Sequence, residues 1–184
     1  MRKIMILLVV FWSPEIHSQQ PLTGNQRFHK NNGDILVIAL PSLALGSTFI
    51  WQDGQKGTYQ FSKALTSTLA LSYGLKFLIN KERPNGENKY SFPSAHTSVA
   101  FSSAAFIQRR YGWEYGLAAY ALASYVGFTR IKANKHDGWD VLAGAAIGTG
   151  MGYLFSNPFD KDRKFQVSTG YIENTLALGF TYKF

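Results

Sequence analysis

Five apolar stretches, at roughly 34–51, 60–79, 94–109, 113–129 and 139–155, dominate the 184-residue chain. Each is broken by Ser, Thr or Gly, and none is a clean run of eighteen apolar residues. Two arrangements fit helices of this kind: membrane helices packed through small residues, or the helices of a soluble bundle. The segment "LAGAAIGTGMGYLF" is rich in Gly and Ala, as close helix packing in lipid favours, and "FSSAAF" points the same way more weakly. A mean hydropathy of only −0.10 keeps the soluble bundle open. The expected fold is all-α, a membrane-embedded bundle of about five main helices. Aromatics make up 15% of the chain, and Trp51, Tyr90, Trp113 and Trp139 fall near the expected helix ends. They fit interface anchors, and core packing is the competing role.

The two ends read differently from the middle. "MRKIMILLVVFWSPEIHSQQ" has a basic start and an apolar run too short to cross a bilayer. Residues 1–19 therefore read as an export signal, with an uncleaved anchor as the alternative, and either sends the chain to the cell envelope. A helical domain is expected over 20–158. In the tail, 159–184, Leu176, Leu178, Phe180, Tyr182 and Phe184 alternate with small or polar residues. That is a strand pattern, and Glu173-Asn174 could turn a short β-hairpin. A membrane barrel needs about eight strands, more than this tail can supply.

Charge narrows the class of partner. Nineteen Lys and Arg against eleven Asp and Glu give a formal net charge of +8. Nucleic acid, anionic lipid and phosphorylated substrates all suit such a balance. The absence of cysteine excludes disulfides and thiolate chemistry. If the helices alternate, 52–59, 109–112 and 156–164 lie on one side, and 80–93 and 130–138 on the other. "QRRYG" and "FDKDRK" make the first side basic. Lys81, Arg83, Lys89, Arg130, Lys132 and Lys135 make the second side basic too, so charge alone does not orient the chain.

That second side also gathers chemistry. Lys76 precedes Arg83-Pro84 by seven residues. Pro93-Ser94-Ala95-His96 opens a helix whose first N–H groups are unpaired and able to hold an anion. Arg130 is followed by His136 and then Asp140. In this topology a lysine, two arginines, a helix N-terminus and two histidines meet at one end, making a site of phosphate size.

The three blocks resemble the signature of the type 2 phosphatidic acid phosphatase family, which shares its site with vanadium haloperoxidases and bacterial non-specific acid phosphatases. The blocks are Lys76/Arg83-Pro84, Pro93-Ser94-Ala95-His96 and Thr129-Arg130/His136/Asp140, and the likeness runs from about residue 60 to 155. Two positions depart: Ala95 stands for the family's glycine and Thr129 for its serine. Only "NGENKYSF" separates Pro84 from Pro93, too little for a substantial lid.

The resemblance implies metal-independent phosphatase chemistry with no cofactor. His136 would attack phosphorus and become a phosphohistidine, with Asp140 fixing its tautomer. His96 would protonate the leaving oxygen and then activate water. Lys76, Arg83 and Arg130 would neutralise the phosphoryl oxygens, with Ser94 and the N–H groups around Ala95 completing the cradle. The substrate would be a lipid phosphate or diphosphate, taken from a membrane at a site facing the periplasm or exterior. Nucleic acid is not an expected partner, because the cations occupy motif positions and the helices are too apolar for a solvated face.

Other readings compete. Asp140 could be an N3 residue capping a helix that starts at Asp137, Lys76 could snorkel to an interface, and Arg83-Pro84 could be a surface turn. Lys81, Lys89, Lys132 and Lys135 read as solvated or headgroup-facing charges. At the level of the whole protein, the alternatives are a vanadate-dependent haloperoxidase, a lipid phosphotransferase, and a non-catalytic binder of anionic lipid.

Overall fold

A computed structural model describes residues 22–50, 56–159, 165–172 and 175–182. The segment read as a signal, 1–19, lies outside them, as do Trp51, Phe184 and the Glu173-Asn174 turn. The elements run α1 (Gly24–Ile50), α2 (Gly57–Ile79), α3 (Ala95–Tyr111), α4 (Trp113–Lys132), α5 (Gly138–Phe155), β1 (Phe165–Ile172) and β2 (Thr175–Tyr182). The five helices and the antiparallel strand pair match the expectation, with Ile172 paired to Thr175. Among the described residues the two strands pair only with each other.

Helix α1 starts ten residues before its apolar stretch. Thr23 and Gln26 form a reciprocal capping box there: Gln26 N donates to Thr23 Oγ1 at 3.3 Å, and Thr23 N donates to Gln26 Oε1 at 3.0 Å. Such a box satisfies two otherwise orphaned donors and fixes the helix start. The polar first turns "GNQRFHKNNGD" thus become helical.

Helix α3 is the axis of the bundle and touches α1, α2, α4 and α5. A helix enclosed on all sides must be small, and α3 buries Ser98, Ala100, Ser102, Ser103, Ala104 and Ala105. Its hydroxyls are satisfied locally: Ser98 Oγ donates to Ser94 O at 3.0 Å, and Ser103 Oγ to Val99 O at 2.9 Å. Gly144, Gly148 and Gly152 of α5 form the facing stripe. A Cβ at Gly148 would lie 2.1 Å from Ser98 O, so the two backbones are in direct contact.

Size and polarity are inverted relative to a water-soluble bundle. Ser, Thr, Ala and Gly crowd the interior around Leu40, Phe61, Phe106 and Val126, while Ile38, Phe77, Leu78, Leu117 and Leu154 lie exposed on the outside. An outward sheath of large apolar side chains over a small, hydroxylated core suits a bundle surrounded by lipid. Helix α1, at 27 residues, is long and apolar enough to cross a bilayer by length and composition. Trp113 and Trp139 are exposed, at 62% and 73%, which favours the interface-anchor role over core packing.

Candidate active site

Helix direction alternates, so the C-termini of α2 and α4 and the N-termini of α3 and α5 share one end of the bundle. The three sequence blocks sit there. Ser94 N donates to Asp140 O at 2.9 Å, which ties the start of α3 to the start of α5. His136 N is 3.4 Å from Arg130 O, which folds the end of α4 back toward α5.

His136 is buried, with Nδ1 3.5 Å from Asp140 Oδ2 and 3.4 Å from Ser91 Oγ. Asp140 is wholly buried and has several donors. Lys81 Nζ donates to Oδ1 at 2.8 Å, Asp137 N donates to Oδ2 at 3.1 Å, and the Ser91 hydroxyl also donates to Oδ2. Asp137 in turn accepts from Asp140 N at 3.0 Å, completing a capping box at the head of α5. The two competing roles of Asp140 are therefore one: the carboxylate that closes the helix cap is also the one beside the histidine. Burial, and then the charges of Arg83 and Lys76, outweigh the Asp140 contact and push the His136 imidazole down to about 4. His136 is thus neutral at ordinary pH, with a lone pair to offer a phosphorus centre.

Each expected cation is held by protein acceptors. Lys76 Nζ donates to Tyr90 O at 2.6 Å and Ser91 O at 3.3 Å, so it is turned into the bundle end rather than snorkelling outward. Arg83 Nε donates to Asn88 Oδ1 at 2.9 Å, which fixes the guanidinium in the loop that follows α2. Arg83 opens a turn, with Gly86 N donating to its O at 2.9 Å, but its side chain is largely buried: burial, with the nearby charge of Arg130, depresses its pKa despite Glu87. Its charge reaches both histidines. Arg130 donates to Thr129 Oγ1 through Nε at 3.3 Å, so the threonine that replaces serine keeps the hydroxyl's use. Fixed donors of this kind need no reorganisation when an anion arrives.

Ser94 caps α3, accepting from Thr97 N at 3.4 Å and Thr97 Oγ1 at 2.9 Å. Its own N–H is spent on Asp140 O, so the N–H groups of Ala95 and His96 are those that helix geometry leaves without an intrahelical partner. Among the described residues, the non-glycine positions with positive φ are Asn80 and Asn134. Ala95 therefore adopts its place without the strain that a glycine would have been needed to avoid.

Two lysines read as solvated or headgroup-facing charges are ion-paired, and Lys81 remains partly exposed. Lys135 is buried and paired with Glu87, and Lys81 bridges Asp137 and Asp140. The short loop after Pro84 supplies Glu87, which lies 3.8 Å from Arg83 Nη1 as well. Burial would raise the Glu87 carboxyl, but Lys135 and Arg83 hold it below the usual range. Burial likewise opposes the Lys81 charge, and its two aspartate partners raise its pKa instead.

Asp34, on α1, is the residue that sequence reasoning missed. Its Oδ1 accepts from Arg130 Nη1 at 2.8 Å and lies 3.1 Å from His96 Nε2. A charged residue at the edge of an apolar stretch was the available signal, since such residues are costly in lipid unless paired.

Comparisons with known proteins give the chain a family and a fold. The family model for the PAP2 superfamily matches residues 48–164. A lipid A 1-phosphatase from Porphyromonas gingivalis is 39% identical over 160 residues, covering 81% of this chain but only 35% of that protein. The chain thus spans about a third of that relative's length. A lipid A 4'-phosphatase from Helicobacter pylori is 26% identical over 98% of both chains. The crystal structure of LpxE from Aquifex aeolicus superposes with a TM-score of 0.60 at 23% identity, covering 70% of this chain and 83% of that one. A transmembrane PAP2-type phosphatidylglycerolphosphate phosphatase from Bacillus subtilis gives 0.57 at 20% identity, covering 71% and 74%. These two likenesses concern the helical fold, and with the family model matching more than half of its length the chain belongs to the PAP2 superfamily.

Proposed function

We propose that this chain removes a phosphate from lipid A by metal-independent hydrolysis through a phosphohistidine on His136. The observation that carries the reading is a buried, neutral His136 backed by Asp140 and facing the charges of Lys76 and Arg83, with Arg130 near Arg83 and His96. Phosphoryl transfer needs fixed cations at the oxygens and a proton for the leaving group, and little else. Lipid A is favoured by the names of the relatives, and both of its phosphates are candidates.

In the first half-reaction the unprotonated ring nitrogen of His136 forms a P–N bond. The P–O bond to the lipid breaks, and its electron pair takes a proton from His96. In the second half-reaction His96 accepts a proton from water, the water oxygen bonds to phosphorus, and the P–N electron pair returns to His136. Lys76, Arg83 and Arg130 hold the equatorial oxygens throughout. The exposed apolar sheath keeps the site at a membrane surface, where the lipid chains remain in the bilayer.

The site end faces the periplasm in this reading. Phosphate binding then gives Lys76, Arg83 and Arg130 a use at that end that does not depend on the positive-inside rule. Residues 1–19 would serve as export signal and 20–158 as the catalytic domain.

The test is phosphate release from lipid A, phosphatidic acid and a polyprenyl diphosphate in mixed micelles, with EDTA present. Lipid A should be the preferred substrate, mass spectrometry should show which phosphate leaves, vanadate should inhibit, and acid-labile phosphate should be trapped on His136. EDTA-sensitive turnover, or unchanged release by His136→Ala, would overturn the reading.

A further inference from the structure

We infer that Asp34 is a positioning residue that holds both His96 and Arg130, so that α1 completes the site with a second histidine–carboxylate pair. Asp34 lies outside residues 48–164, which the family model matches, and 62 positions from His96. This inference rests on the phosphatase reading for its catalytic consequence, but its geometry stands apart from it.

Helix α1 is built to receive Arg130. The guanidinium donates from Nη1 to Asp34 Oδ1 at 2.8 Å and from Nη2 to Lys30 O at 2.6 Å, with His29 O at 3.5 Å. A Cβ at Gly33 would lie 2.0 Å from Nη2 and 2.2 Å from Thr129 Oγ1, so only glycine lets the side chain rest on the α1 backbone. With Nε on Thr129 Oγ1, four of the five guanidinium N–H groups have protein acceptors. The remaining Nη1 hydrogen is left for a substrate oxygen. Lys30 Nζ closes the arrangement on Asp34 Oδ2 at 2.9 Å.

The same carboxylate decides which nitrogen of His96 works. With Nε2–H donating to Asp34 Oδ1 at 3.1 Å, Nδ1 is the free ring nitrogen. When both nitrogens are protonated, Nδ1–H passes its proton to the leaving oxygen as the P–O bond breaks, and Nε2–H stays on Asp34. Neutral Nδ1 then takes a proton from the attacking water. Asp34 remains ionised and stabilises the imidazolium, as second carboxylates do for catalytic and metal-bound histidines.

The experiment compares full-length wild type, Asp34→Asn, His96→Ala and the double variant in detergent micelles. The substrates are an alkyl phosphate and p-nitrophenyl phosphate, whose leaving group needs little protonation. Asp34→Asn should lower kcat on the alkyl phosphate about 10²-fold and on the aryl phosphate only a few-fold. It should raise KM on both through Arg130, and it should add little to His96→Ala. Equal kcat losses on both substrates, or full additivity with His96→Ala, would overturn the proposal. Side-chain ¹⁵N NMR of His96 supplies a readout without turnover. A locked Nε2–H tautomer in wild type, relaxed in Asp34→Asn, supports positioning even if no substrate is cleaved. An unchanged tautomer counts against it. Absence of phosphate release by the wild type would sink the phosphatase reading alone.

Discussion

His136 and Asp140 sit four positions apart, at the head of α5 and in the turn before it, whereas His96 and Asp34 come from α3 and α1 and meet across 62 positions. The first pair is fixed by local geometry, because a capping box at Asp137 turns Asp140 back toward the residue that precedes the helix. The second exists only while α1 stays docked. One side of the site should therefore survive perturbations of the bundle that dismantle the other.

The largest expected effect tests the local pair. His136→Ala should lower phosphate release by at least about 10⁴-fold on every substrate, since it removes the attacking atom itself. Activity retained on an aryl phosphate would show that the nucleophile lies elsewhere. Asp140→Asn should cost up to about 10⁴-fold in kcat through the wrong tautomer. It also weakens the α5 cap, so thermal unfolding should shift down with it.

The distant pair should break more selectively. Gly33→Val puts carbon where the Arg130 guanidinium lies, and should raise KM about tenfold or more while leaving Asp137 and Asp140 in place. An unchanged KM would mean that α1 does not hold Arg130 in the working protein.

Acid sharpens the contrast next. His136 is held down to about 4 by burial and by the charges of Arg83 and Lys76. As pH falls through about 4 the imidazole gains a proton and loses its lone pair, so kcat/KM should drop tenfold per unit below that point. Arg83→Gln removes one repelling charge, so the limb should move to higher pH, and a limb moving down would contradict the assignment. The smallest effect is expected at Glu87→Gln, which frees Lys135 and loosens Arg83 without touching either histidine. A few-fold rise in KM with kcat unchanged is the expected outcome, read from initial rates.

Much of this site was legible as spacing. Arg130, His136 and Asp140 fall within eleven consecutive residues, and Ser94 is a helix cap by composition, so short-range geometry brings them close. What spacing could not tell was how each charge is engaged. Lys81 and Lys135 read as solvated, because nothing local reveals that a loop of eight residues will deliver Glu87, or that Asp137 will face Lys81. Likewise the first apolar stretch begins at about 34, ten residues after α1 itself starts. Its Thr23/Gln26 capping box was visible in "TGNQ", but the reason to extend the helix lay in Arg130, about a hundred residues away.

By itself the sequence determined the helical count, the three chemical blocks and the stripe of Gly144, Gly148 and Gly152 through which α5 meets α3. These follow from forces that act within a few turns: apolar runs, caps and side-chain size. Only the tertiary structure decided that Asp34 joins the site, that Arg130 rests on Gly33, and that the loop lysines are paired. A buried charge must find its opposite wherever packing places one, and separation along the chain carries no record of that choice.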